Sequence, residues 1–256
     1  AAAVRARGMT SIGTEAIESV SVPGAVDAFA ALAEHHGRLG LAALLAPAIR
    51  YAEQGVPVAP RVAFDWADDG PRLAGAARGF YLRDGRPLVT GDIFRSPGQA
   101  EVLRRIAREG RAGFYAGEVA EAALRALAAA VGTHPPDDFA ATACTWDEPV
   151  AGAYRDHDLI EHPPNGQGAT AILMLKILSR FDIAALDPLG PERAHLEAVA
   201  AKLAYDARNR FIADPAHTTR LGHMLADATA DRLAALIDPR RAMDQVARRT
   251  EAIHRD

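Results

Sequence analysis

"HPPNGQGATAILMLKILSRFD", residues 162–182, halts on Pro163–Pro164, turns at Asn165–Gly166 and then runs into an apolar stretch of helical character. A residue that precedes proline avoids the helical region, so the chain entering this turn is extended. Asn-Gly is a strong turn pair, and the run after Gln167 offers Ile172, Leu175, Ile177 and Leu178 to a core. The stretch reads as strand, turn and buried helix. A glycine-bearing turn ahead of a helix can instead cradle a phosphate on unpaired N–H groups. Gly166, Gly168 and Ala171 fit the lenient dinucleotide fingerprint G-x-G-x-x-A. That motif follows a buried strand inside a βαβ unit, whereas the candidate strand here, "DLIEH", is half charged and no second βαβ pattern follows. The structural turn is the preferred reading. A nucleotide-binding oxidoreductase module on Gly166, Gly168 and Ala171 is its rival, and a non-catalytic helical scaffold is a third.

Working outward, helices dominate. "PGAVDAFAALAEHHG" (23–37) places Pro23 near a start and Gly37 at a stop. "LAALLAPAIRYAEQG" (41–55) continues helically, and Pro47 predicts a kink or a division there. "SPGQAEVLRRIAREG" (96–110) offers Ser96 as N-cap, Pro97 as first helical residue, Val102, Leu103 and Ile106 as core, and Gly110 as terminator. "GEVAEAALRALAAAVG" (117–132) repeats that plan. A long helix is predicted from Pro191 to Ile212 with Leu196, Val199, Leu203 and Phe211 inward, and another over 228–238. The tail "PRRAMDQVARRTEAIHRD" (239–256) is charged, with few apolar positions, and predicts a frayed end.

Strand signals are short: "ESVSV" (18–22), "GFYL" (79–82) and "GAYRDHDLIE" (152–161). Asp84–Gly85 predicts a hairpin turn. So few strands cannot make a sheet of their own; if the protein has one, another piece of chain supplies part of it.

The chain has 256 residues and 49% hydrophobic content, enough for a sizeable core. Its 29 basic and 33 acidic residues leave a net charge of −4, which argues against a nucleic-acid partner. Apolar runs such as 39–49 fall short of the ~18–20 residues that cross a bilayer. Cys144 is the lone cysteine, so no intrachain disulfide forms and the compartment stays open, exported or cytoplasmic. "AAAVRARGMT" lacks an initiator methionine and reads as the start of a processed product.

The chemistry-bearing residues are sparse. There is no G-x-S-x-G elbow. Thr218 and Thr219 are internal, so neither has the free amine that makes a terminal threonine a nucleophile. Asp156, His157, Asp158, Glu161 and His162 cluster without a metal-binding spacing and read as a solvated edge. His35 and His36 sit where a helix dipole ends. No cofactor and no metal is implied.

The order of segments is more telling. "SVSVPGAVDAFAALAEHHGRL", "LLAPAIRYAEQGVPVAP", "LRRIAREGRAGFYAGEVAEAAL", "DEPVAGAYR", "HPPNGQGATAILMLKIL", "KLAYDARNRFIADP" and "LIDP" follow one another as in the large subunit of the γ-glutamyltranspeptidase family. The resemblance runs from about Ser19 to Pro239 and rests on many collinear pieces.

It implies an N-terminal-nucleophile hydrolase of α+β class with a four-layer αββα core. Residues 1–256 would be the large-subunit portion of a single αββα domain shared with a second chain. In this family a precursor, a zymogen, cuts itself. The small subunit so created begins with a threonine that attacks an amide, forms an acyl-enzyme and passes the acyl group to water or an amine. The implied partners are that small subunit and a small-molecule amide, γ-glutamyl or related. No catalytic residue is carried onto this chain, because the nucleophile belongs to the small subunit. The family's carboxylate-binding arginine lies in an R-E-x-A-P segment that is absent here and would precede Ala1.

Where typical members show a P-P-S-S-G-G-like turn, this chain has Pro163, Pro164, Asn165, Gly166, Gln167 and Gly168. Asp206, Ala207 and Arg208 replace an A-D-R stretch, and "ADP" (213–215) replaces G-D-P. The N-G-Q-G version is similar to the branch holding oxamate amidohydrolase-like and cephalosporin-acylase-like members, which shifts the expected substrate away from glutathione. Asn165 and Gln167 are the candidate substrate-binding residues, with capping of the turn and helix start as the alternative role for their amides.

Overall fold

The computed structural model describes residues 2–13 and 16–255. The chain divides into two compact units, Ala1–Thr145 and Trp146–Asp256.

The first unit is built from helices Ala25–His36, Leu41–Gln54, Pro60–Asp69, Pro97–Glu109 and Gly117–Ala129, with shorter turns of helix between them. Leu41–Gln54 packs along Pro97–Glu109, and the Arg104 guanidinium pairs with Glu53 across them. Of the kink or division predicted at Pro47, the division does not occur: the helix runs through it. Proline deletes a backbone donor, and packing along a neighbouring helix outweighs that local loss. Pro97 opens its helix as predicted, but the Ser96 side chain makes no capping bond. Ser96 is instead buried, with its backbone N–H on Ala52 O at 2.8 Å.

Two strand expectations fail in this unit. The first two residues of "ESVSV" belong to the 3-10 turn Ile17–Ser19, and residues 20–22 join no strand. Within "GFYL", only Leu82 enters a ladder, because residues up to Tyr81 complete the helix Ala76–Tyr81. Phe80, Tyr81, Trp66 and Phe94 stack edge and face among themselves, with ring centres 4.6–6.2 Å apart. That lateral stacking suits a helix end better than the alternate-face geometry of a strand. The Asp84–Gly85 hairpin does form, joining Leu82–Arg83 to Arg86–Pro87. Both turn residues have positive φ, as a tight two-residue loop demands.

The second unit is a hairpin covered by helices. Val150–Tyr154 pairs antiparallel with His157–Glu161, so "GAYRDHDLIE" is a turn with both flanking strands rather than one strand. The helix Gly168–Leu178 lies against the hairpin and against the helix Pro191–Phe211. It is apolar around its circumference and is buried accordingly: Ile172, Leu173 and Ile177 are almost fully enclosed, while Leu175 is only half-buried. Leu196, Val199 and Leu203 close the core from the long helix, and Met224, Leu233 and Ile237 from the segments beyond it.

The tail differs from its expectation. Val246–Arg255 is helical, with Thr250, Ile253 and His254 buried. Val246, Thr250, Ile253 and His254 recur at helical spacing and make a thin but continuous stripe, while the charged residues take the other faces. Docking of that stripe makes helical a segment too polar to hold the conformation by itself.

Candidate functional site

The turn at 163–167 is closed by the Gly166 N–H donating to Pro163 O at 3.1 Å. The next helix begins at Gly168, whose placement is steric: a Cβ there would lie 2.3 Å from Glu161 Cβ. Gly152 on the hairpin is constrained in the same way by Ile172 Cγ2 at 2.2 Å. These glycines let a helix press onto a strand pair. The strands preceding the turn form an antiparallel hairpin, not the first half of a βαβ unit, so Gly166, Gly168 and Ala171 lack the framework that dinucleotide binding requires.

Gln167 occupies the N-cap position but makes no side-chain capping bond. Its Oε1 accepts from Arg208 Nη1 at 2.9 Å. Asn165 and Gln167, both exposed, line a concave pocket of about 310 Å³ together with Arg208, Asn209 and Ile212. Arg208 also donates from Nε and Nη2 to Asn209 Oδ1, at 3.1 and 2.7 Å. Its guanidinium lies 4.8 Å from the centre of the Tyr205 ring.

Both candidate residues from the sequence therefore meet in one pocket, and the structure adds Arg208, Asn209 and Ile212 to them. A signal for these was present: Tyr205, Arg208, Asn209 and Ile212 recur at i, i+3, i+4 and i+7 and so share a helix face. What the sequence lacked was any mark connecting that face to the turn.

A second polar cluster lies in the first unit. Asp27, only 7% exposed, accepts from Arg111 Nε on Oδ1 and from the Cys144 N–H on Oδ2, each at 2.6 Å. Its own N–H donates to Tyr115 Oη at 3.2 Å, and that hydroxyl donates to Pro23 O at 2.6 Å. The Arg111 guanidinium also donates to Thr142 O. The Cys144 amide, followed by the Arg111 guanidinium, holds the Asp27 carboxyl below the usual carboxylate range despite its burial. The same carboxylate pushes the Cys144 thiol up, which suits a packing role better than a nucleophilic one. With its oxygens committed to internal donors, Asp27 serves as a clasp between three chain segments.

A third cluster seats the last helix. His254 is 4% exposed, its ring 5.1 Å from that of Phe211 and 6.3 Å from that of His223. Its Nε2 is 3.5 Å from Asp206 Oδ2, which accepts from Thr250 Oγ1 at 2.5 Å and Arg210 Nε at 3.0 Å. Burial pushes the His254 pKa down to about 4, with the Asp206 carboxylate pulling the other way. Among the loop threonines, Thr218 Oγ1 donates to Ala213 O at 3.0 Å and accepts from Ala213 N at 3.1 Å, closing a loop. His157 turns to Asp156 at the hairpin tip, 80% of its side chain exposed.

The profile of the family Gamma-glutamyltranspeptidase matches residues 4–255. The glutathione hydrolase-like YwrD proenzyme of Bacillus subtilis is 32% identical over 213 residues, covering 82% of this chain and 41% of that protein. The crystal structure of cephalosporin acylase from Bacillus halodurans superposes with a TM-score of 0.82 at 32% identity, over 93% of this chain and 46% of that one. Helicobacter pylori gamma-glutamyltranspeptidase gives a TM-score of 0.81 at 26% identity, over 88% of this chain and 66% of that one. The chain thus spans less than half the length of the curated relative, and its α+β architecture is that of the large-subunit part of these N-terminal-nucleophile hydrolases. With the profile matched along almost its whole length, this chain belongs to the gamma-glutamyltranspeptidase family.

Proposed function

We propose that this chain is the large-subunit portion of a self-processed amidohydrolase or acyltransferase acting on a γ-glutamyl or related amide. The observation that carries the reading is the family match across residues 4–255, reinforced by superposition on both a transpeptidase and an acylase. In this reading residues 1–256 contribute to a single αββα domain shared with a second chain. The catalytic threonine opens that second chain. Its free amine takes the proton from its own hydroxyl, the hydroxyl attacks the amide carbonyl, and preorganised donors stabilise the tetrahedral oxyanion. Collapse expels the amine and leaves an acyl-enzyme, which water or another amine then opens. The word proenzyme in the relative's name supports self-processing. Asn165 and Gln167 are proposed as substrate contacts in the pocket after the hairpin.

The test is made on the full-length protein. Mass spectrometry of an active preparation is expected to show a second polypeptide beginning with threonine, and γ-glutamyl-p-nitroanilide to release p-nitroaniline in a burst that matches acyl-enzyme formation. An active preparation consisting of one uncut polypeptide overturns the reading.

A further inference from the structure

We propose that the helix Pro60–Asp69, with Leu73 and Tyr81 opposite it, forms a binding site for a small quaternary ammonium ion. The inference does not rest on the function proposed above, since no residue of this site is used there.

Val62, Asp65, Trp66 and Asp69 recur at i, i+3, i+4 and i+7 and so share one face of that helix. Leu73 and Tyr81 complete a concave pocket of about 250 Å³. The Trp66 and Tyr81 rings stand at 65° to one another with centres 6.0 Å apart, so two aromatic walls meet at an angle. Phe94 holds both in place, its ring centre 5.2 Å from that of Trp66 and 6.2 Å from that of Tyr81. The lining stays open to solvent: Tyr81 is 41% exposed and Val62 47%.

The charged groups that line the pocket are both carboxylates. Asp69 meets Arg72 through Oδ1 alone, at 3.3 Å, which leaves Oδ2 for a ligand. Asp65 accepts from Arg61 at 3.0 and 2.7 Å. Neither arginine lines the pocket, and exposed pairs of this kind contribute little and give way to a competing cation.

The lining selects the chemical class. An aromatic ring attracts a cation through its quadrupole, tryptophan most strongly, and rim carboxylates add to that attraction. A primary ammonium carries three N–H donors and a strong hydration shell, which a lining made largely of carbon does not replace. A quaternary ammonium has no donors to satisfy, and its methyl groups pack on the rings and on Val62 and Leu73. The volume falls below that of a drug-sized ligand site and suits such a headgroup.

The experiment is calorimetric titration of the full-length protein at low ionic strength with choline, with its uncharged isostere 3,3-dimethylbutan-1-ol, and with ethanolamine, the corresponding primary amine. Choline is expected to bind about tenfold or more tightly than either of the others. Trp66→Leu is expected to weaken choline about tenfold, whereas Trp66→Phe keeps an aromatic wall and retains most of the affinity. Asp69→Asn, at an exposed position, is expected to weaken choline about threefold, and it carries the test if Trp66→Leu fails to fold. The proposal is overturned if choline shows no saturable binding or if either analogue binds as tightly. It is equally overturned if choline affinity is unchanged in folded Trp66→Leu or in Asp69→Asn, or if Trp66→Phe is as weak as Trp66→Leu. Protein that sediments with phosphatidylcholine vesicles while free choline does not bind makes this face a membrane contact and also overturns it.

Discussion

The backbone N–H of Cys144 donates to Asp27 Oδ2 at 2.6 Å across 117 residues of sequence. With the Arg111 pair on the other oxygen, this contact ties the end of the first unit to its first long helix. The carboxylate stands in the first turn of the helix Ala25–His36 and is buried, so the donors that surround it compensate its charge.

Asp27→Ala is expected to destabilise the protein by about 2–4 kcal/mol, since it strips two charge-assisted bonds and leaves the Arg111 guanidinium and the Cys144 amide without their acceptor. Asp27→Asn retains one acceptor and should lose roughly half as much. Urea unfolding of the two variants beside the unmodified protein measures this; equal midpoints for all three would contradict the clasp.

His254 predicts an acid-sensitive C-terminal helix. Its folded pKa of about 4 lies below the ordinary imidazole value of 6.5, so the unfolded chain takes up the proton first as pH falls. Stability from the neutral imidazole is complete above pH 6.5 and declines as pH drops toward 4, by up to on the order of 2–3 kcal/mol. The charged groups facing the ring are Asp206 and Arg210 from the long helix and Arg220 and His223 from the segment after it. Asp27 adds to the loss only further down, because its carboxyl titrates below 3.8. His254→Leu keeps the volume apolar and is expected to flatten the stability profile between pH 6.5 and 4. Hydrogen exchange of the 246–255 amides across that range checks it, and a pH-independent pattern would refute it.

Glycines at the hairpin–helix contact provide a steric test. Gly152→Ala drives a Cβ to 2.2 Å from Ile172 Cγ2, whose side chain is 1% exposed and has nowhere to go. Gly168→Ala meets Glu161 Cβ at 2.3 Å. Each should cost about 1–3 kcal/mol through overpacking. Gly98→Ala, in the helix Pro97–Glu109 with open space around it, should instead gain about 0.4–1 kcal/mol. Thermal unfolding of the three variants decides; a neutral Gly152→Ala would show that the contact yields.

Much of the local structure was legible in the sequence. The helices Ala25–His36 and Pro97–Glu109 begin and end within a residue or two of their proline and glycine signals, and Pro191–Phe211 begins at its proline, because those residues act through their own backbone geometry. The misread pieces share a cause. "GFYL" has strand composition, but its rings are used against Trp66 and Phe94. The tail has the composition of a solvated end, but a stripe of few residues finds a groove to fill.

The sequence by itself determined where the helices flanked by proline and glycine start and stop, the apolar identity of the Gly168–Leu178 helix, the turn at Asn165–Gly166 and, through the order of its segments, the family. Only the tertiary structure decided that Gln167 meets Arg208, that Asp27 meets Arg111 and Cys144, and that His254 is enclosed beside Asp206. The physical reason is range. Capping, turn formation and helical periodicity act over a few neighbouring residues, whereas these contacts join residues 41 to 117 positions apart and exist only once packing has brought their backbones together.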